Sequence, residues 1–157
     1  MPRRLASDIT EVIIHCADTP DGDRSYDIGD IDIWHADRGF KRPDLTRRPH
    51  LKYVGYHYVI NPDGSVAAGR SHLEVGAHAA GRNQSSIGIC LIGREKYPIA
   101  AWWALADVVD ALEAAYPRIR NIIGHNDVTS KKTCPGFKVA DWLKAERKPL
   151  EGHLYAV

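Results

Sequence analysis

Apolar and polar positions along the chain follow two rhythms, short β-branched runs and longer stretches of helical spacing. Glu11 to Asp18 is a β-branched run closed by the turn cluster Thr19-Pro20-Asp21-Gly22, which predicts a buried strand with His15 near its C-terminal end. From Ser25 to Gly39, Ile28, Ile31 and Trp34 recur at helical spacing, with early acids (Asp27, Asp30) and a closing glycine, which predicts a short amphipathic helix. Tyr53 to Ile60, then Asn61-Pro62-Asp63-Gly64, then Ser65 to Gly69 reads as a β-hairpin, because Pro and Gly occupy the turn positions that favour them. Period-two alternation along its first strand places Tyr56 and Tyr58 on one face and His57 on the other.

Gly76 to Asn83 is too small and glycine-rich for a regular element and is expected to be a loop. Ser86 to Gly93 is almost wholly apolar, the pattern of a central strand buried on both faces. Trp102, Leu105, Ala106, Val109, Leu112 and Tyr116 follow one helical face before Pro117 ends the helix. Trp102 and Trp103 are adjacent, so only one of them can face the core. Arg120 to His125 predicts a short strand, Asn126 to Thr133 a polar connection, and Phe137 to about Glu146 a last helix. Strands interleaved with helices make the chain α/β, and the hairpin makes its sheet mixed.

Size and charge narrow the functional classes. The 157 residues are 44% hydrophobic and 26% charged, the make-up of one globular domain. Lys+Arg 21 against Asp+Glu 20 leaves a net charge of +1, too little field to attract a polyanion, so dedicated nucleic-acid binding is not expected. No apolar run approaches the roughly 20 residues that span a bilayer, so membrane insertion is not expected. Residues 1 to 11 begin with basic residues but lack the apolar stretch of an export signal, which predicts synthesis in the cytoplasm. Between Arg38 and Lys52 the charge is concentrated: six Lys/Arg, two prolines and a single acid. That stretch is expected to be a solvated irregular loop, with contact to an anionic envelope polymer as the minority reading; loss of wall binding at low salt on neutralising its arginines would support the latter.

The three cysteines, Cys16, Cys90 and Cys134, are odd in number and lack C-x-x-C spacing, which argues against a disulfide framework or a zinc ribbon. Cys16 and Cys90 are expected to pack as small buried hydrophobes. Among the eight histidines, His35 and His57 are expected to be structural, and His50, His72 and His153 carry no functional assignment. His15, His125 and Cys134 stand apart, because each lies at the end of an element, where an α/β scaffold presents its site. A His2Cys set holds zinc through three protein ligands and leaves a fourth position open, the arrangement of catalytic sites. Spacing alone is weak support, since a His and a Cys nine residues apart arise readily by chance.

Several strings, taken in order, carry a stronger signal: Ile13-Ile14-His15-Cys16, Val54 to Ile60 around Gly55-Tyr56-His57, Gly76-Ala77-His78-Ala79, Asn83 with Ser86-Ile87-Gly88-Ile89, and Gly124-His125-Asn126-Asp127-Val128 followed by Lys132-Thr133-Cys134-Pro135-Gly136. Together they resemble the type 2 N-acetylmuramoyl-L-alanine amidases, which share a fold with peptidoglycan recognition proteins, and most of all the bacteriophage lysozyme branch. The resemblance spans about Glu11 to Glu146. It implies that His15, His125 and Cys134 bind one Zn²⁺, that Tyr56 orients or helps deprotonate the attacking water, and that Lys132 stabilises the oxyanion. It further implies that His78 and Asn83 line the substrate cleft. Whether Tyr56 or Lys132 accepts the proton stays open, and Lys131 is the alternative to Lys132 because the segment before Cys134 is about one residue longer than in that branch. Cytosolic muropeptide-recycling relatives carry Glu where Cys90 stands and Asp in place of the ligand Cys, so both positions favour the lytic branch.

The expected activity is therefore zinc-dependent hydrolysis of the amide between N-acetylmuramic acid and L-alanine in peptidoglycan. Residues 1–157 are expected to form a single catalytic domain, core about 11–146 with a tail from 147, without a separate wall-binding domain. It would act as a monomeric phage or prophage endolysin, reaching the wall through a holin's lesions. Two other readings are a non-catalytic peptidoglycan recognition protein, disfavoured by the retained Cys134, and a structural zinc module binding nucleic acid, disfavoured by the lack of a fourth ligand.

Overall fold

The computed structural model describes residues 3–156. Five strands form one mixed sheet in the order β3-β2-β4-β1-β5, from β1 (Glu11–Cys16), β2 (Tyr58–Ile60), β3 (Val66–Ala68), β4 (Ser86–Leu91) and β5 (Asn121–Gly124). β4 is central and β1 lies beside it; both are buried along their full length, as continuous apolar runs in a covered parallel sheet require. β1 runs parallel to β4 and β5, β2 parallel to β4, and only the β2–β3 hairpin is antiparallel.

Among the described residues the α-helices are α1 (Ile28–Asp37), α2 (Ile99–Ala115), the single turn α3 (His125–Val128) and α4 (Val139–Lys144), with short 3-10 turns between elements. α2 buries Trp102, Leu105, Ala106, Val109 and Leu112 against Ile14, Ile60, Ile87 and Ile89 on one sheet face. Full burial of each large aliphatic side chain contributes about 1.5–3 kcal/mol, so this layer supplies much of the stability. Trp102 is buried while Trp103 is 47% exposed, which resolves the adjacent pair. α1 covers the other face, with Ile31 packed on Leu51, Val54, Val59, Cys90 and Ile92.

α1 begins at Asp27, whose carboxylate accepts the Gly29 N–H while Asp30 accepts the Asp27 N–H. Its buried positions are Ile31 and His35, not Trp34, which is 38% exposed. Helical spacing alone does not separate Trp34 from its neighbour; packing places His35 inward and Trp34 at the rim of a cleft.

Three expectations need correction. The first hairpin strand spans only Tyr58–Ile60, so Tyr56 and Tyr58 do not share a face: Tyr56 packs with the α1 layer and Tyr58 with the α2 layer. The Arg70 N–H to Tyr56 carbonyl bond (3.0 Å) still follows the hairpin register, but one residue earlier the backbone leaves the ladder, with the Gly55 N–H donated to His35 Nδ1 (2.8 Å). The basic stretch is irregular but not simply solvated, because Arg42 is buried at its centre. Its guanidinium makes a bidentate pair with Glu74 (3.0 Å each) and donates to the carbonyls of Asp44, Arg47, Arg48 and Leu51. The last helix is shorter than expected, and the tail beyond it is packed: the His153 carbonyl accepts from Tyr97 N (2.9 Å) and Trp102 Nε1 (3.2 Å). Among the described residues no helix is long and apolar enough to cross a membrane.

Candidate active site

Parallel strands deliver the site. His15 lies one residue before the end of β1, and His125 follows β5 directly as the first residue of α3, so both reach the same C-terminal edge of the sheet. Their rings are 4.5 Å apart between centroids. Cys134 returns to this edge because the Asn126 N–H donates to the Cys134 carbonyl (2.9 Å) and the Asn126 amide donates to the carbonyls of Thr133 and Phe137, closing the loop that carries it. One ligand atom from each of His15, His125 and Cys134 lies within 4.8 Å of the others. Cys134 Sγ is 3.4 Å from His125 Nδ1.

The electrostatics suit a soft cation. Burial keeps His15 neutral by lowering its pKa, and the ammonium of Lys132 adds to that effect. The Cys134 thiol is pushed strongly toward thiolate, first by a hydrogen bond from Cys16 and then by contacts with His125 and His15. Cys16 is correspondingly held as a thiol by that bond and by burial. Cys16 thus packs in the core as expected, but its sulfur also faces the ligand cysteine around the strand end. Two imidazoles and a thiol pushed toward thiolate, converging with no carboxylate among them, are the donor set of a zinc site. The chemistry of the three residues fits the ion.

Around this triad lies a cleft of about 740 Å³. Tyr56 forms one wall, its ring 5.1 Å from His15 and 5.2 Å from His35. Its direction is fixed from behind: Asp32 accepts the Tyr53 and Val54 N–H groups (2.7 and 2.8 Å), and His35 accepts that of Gly55. Burial raises the Tyr56 phenol well above its ordinary pKa, and the nearby thiols add to the shift. Lys131 and Lys132 both line the same cleft and are exposed; the charge of Lys132 reaches His15.

His78 and Asn83 also border the cleft, with contacts that the sequence does not reveal. His78 Nδ1 sits 2.8 Å from His15 Nε2, and burial keeps its imidazole neutral. Asn83 Oδ1 accepts the backbone N–H groups of His78 and Ala79 (2.8 and 2.9 Å), so its carbonyl end holds the loop in place. Trp34, Arg38 and Phe40 line the outer cleft, the Arg38 guanidinium 4.6 Å above the Phe40 ring. The i, i+4 spacing of Trp34 and Arg38 was the available signal for this wall. His35 and His57 are structural as expected, each accepting a backbone N–H, from Gly55 and Gly88. His72 bridges the hydroxyls of Tyr58 and Tyr116. A second cavity, about 650 Å³, is lined by Arg3, Arg47, Arg48 and Arg70 beside His72 and contains none of the candidate catalytic side chains.

Comparison with known proteins gives the family and the fold. Residues 5–137 match the family described as N-acetylmuramoyl-L-alanine amidase. The chain is 31% identical over 145 residues to the endolysin of Enterobacteria phage K11, covering 86% of this chain and 85% of that one. Its fold is similar to N-acetylmuramoyl-L-alanine amidase LysC from Clostridium intestinale URNW, with TM-score 0.74 and 25% identity over 93% of this chain and 89% of the other. The bumblebee peptidoglycan recognition protein PGRP-SA is also similar, with TM-score 0.71 and 25% identity over 92% of this chain and 85% of that one.

Proposed function

The chain belongs to the N-acetylmuramoyl-L-alanine amidase family, and from that premise we propose that it is a zinc-dependent endolysin cleaving the amide between the lactyl group of N-acetylmuramic acid and L-alanine. The observation that carries this reading is the convergence of His15, His125 and Cys134 within 4.8 Å in a cleft that also holds Tyr56 and Lys132. Bound by those three residues, zinc supplies Lewis acidity, bringing the pKa of water to about 7 and polarising a carbonyl.

The protein's own groups divide the remaining work. Tyr56 Oη, held protonated by its burial, hydrogen-bonds and orients the attacking water. Lys132 Nζ faces the charge that develops on the carbonyl oxygen, an interaction worth about 3 kcal/mol of barrier by analogy with oxyanion donors. The Asp32 and His35 contacts keep Tyr56 in register during this step. Trp34, Phe40 and Arg38 offer two aromatic surfaces and a cation for the sugar and stem peptide. One domain acting as a monomer is sufficient in this scheme, with peptidoglycan or its muropeptides as substrate. Synthesis is proposed to occur in the bacterial cytoplasm, before the enzyme reaches the wall.

Metal analysis paired with a lysis assay tests the proposal. One zinc per chain and loss of turbidity of purified peptidoglycan are expected, and both should fall in Cys134→Ser. Clearing that survives chelation and this substitution would overturn the zinc mechanism. Zinc and wall-fragment binding with no new L-alanine amino termini would instead favour a recognition protein.

A further inference from the structure

The ring of His78 is built into the protein behind the metal-ligand set rather than laid along the open cleft. Its slot exists because two residues around it have no side chain: a Cβ at Gly88 or at Gly76 would sit 2.7 Å from the His78 ring. Its backbone is pinned by Asn83 Oδ1. Both ring nitrogens are engaged, Nδ1 with His15 Nε2 at 2.8 Å and Nε2 with Ser86 Oγ at 3.2 Å. Ser86 is fully buried, and its Oγ is 2.7 Å from the Arg82 carbonyl.

The direction of this chain follows from its far end. A carbonyl only accepts, so the single hydroxyl proton of Ser86 goes to Arg82, the shorter of its two contacts. Ser86 Oγ then accepts from His78 Nε2–H. A neutral imidazole has one N–H, which leaves His78 Nδ1 as an acceptor facing His15. His15 must supply the proton there, from Nε2, and its unprotonated nitrogen becomes Nδ1.

We propose that His78, backed by Ser86 and the Arg82 carbonyl, is a positioning residue that fixes His15 as its Nε2–H tautomer and so assigns Nδ1 as the metal-binding nitrogen. The inference deepens the zinc reading and rests on it. Outer hydrogen-bond partners of ligating histidines set ring orientation and ligand basicity, and losing them typically costs about 10–100-fold in metal affinity. His78 thereby acquires a role at the metal rather than at the substrate.

The test is zinc affinity by competition with a chromogenic chelator, joined to long-range ¹H–¹⁵N NMR of the imidazoles in the metal-free protein. Wild type should bind zinc and show the His15 proton on Nε2. His78→Phe should weaken zinc about 10–100-fold and release the tautomer preference, whereas His78→Asn, which restores an acceptor oxygen near the Nδ1 position, should recover much of the affinity. Ser86→Ala should give a smaller loss in the same direction. Wild-type affinity in a folded His78→Phe, or a His15 proton on Nδ1, overturns the relay while leaving the zinc site intact. If His78→Phe fails to fold, Ser86→Ala and the wild-type spectrum decide. A wild-type protein that binds no zinc sinks the underlying metal reading and the relay with it.

Discussion

Arg42→Met removes the guanidinium on which the basic loop is built, and its cost can be worked from the contacts. Arg42 and Glu74 have completely inaccessible side chains and share a bidentate pair at 3.0 Å. The substitution strands the Glu74 carboxylate in the interior with Ser71 N–H as its remaining donor and leaves the carbonyls of Asp44, Arg47, Arg48 and Leu51 without this partner. Removing one member of a buried pair costs about 3–5 kcal/mol, a large part of the roughly 5–15 kcal/mol that holds a domain folded. With a urea dependence of about 2 kcal/mol/M, the midpoint should fall by about 2 M, read from tryptophan fluorescence. Arg42→Met with Glu74→Leu removes the stranded charge and should recover part of the loss. The exposed Arg94–Asp18 pair is the control, and its removal should leave the urea midpoint essentially unchanged. A midpoint shift below about 0.5 M for Arg42→Met would refute the reasoning, since an ion pair of so little consequence is not the organising centre of the loop.

Other outcomes follow from the same structure. Tyr56→Phe should keep zinc and fold but lower kcat by about 10-fold, the worth of one orienting hydrogen bond of about 1.4 kcal/mol; unchanged kcat would remove Tyr56 from the chemistry. Lys132→Met should lower kcat by about 10²–10³-fold while Lys131→Met changes it little, and the reverse pattern would transfer the oxyanion role to Lys131. Burial depresses His35 to about 4, with Arg38 and Arg70 adding to the shift, and takes His57 well below its ordinary value. The unfolded chain therefore binds protons that the folded chain refuses, so stability present above about pH 6.5 should fall as pH drops toward 4. Urea midpoints across that window check the sign, and a protein equally stable at both ends would contradict it.

The regular elements were largely legible because burial writes itself into the apolar pattern. Ser86 to Gly93 reads as a central strand, and Ser86–Leu91 forms one, because it is buried along its length; the α2 face reads as a helix because its apolar stripe is covered. The failures fall where a distant polar partner decides the local structure. Nothing near Arg42 in the sequence announces Glu74, 32 residues away, so a buried hub looks like one more cation in a basic loop. Tyr56 reads as a continuation of the strand of Tyr58, but the two side chains pack in different layers and the Gly55 N–H before Tyr56 goes to His35, 20 residues away. The triad was nameable because ends of strands are informative positions, and resemblance then strengthened it. The His78 contact, 63 residues from His15, has no periodic signature and is visible only in three dimensions.

Product analysis on a defined muropeptide tests the central claim most directly. Mass spectrometry of N-acetylmuramoyl-peptide incubated with the zinc-loaded protein should reveal two products, a sugar with a free lactyl carboxylate and a peptide beginning with unblocked L-alanine, both lost when Cys134 is replaced by Ser. Cleavage within the sugar chain or within the stem peptide, or intact substrate beside a fully zinc-loaded protein, would contradict the account.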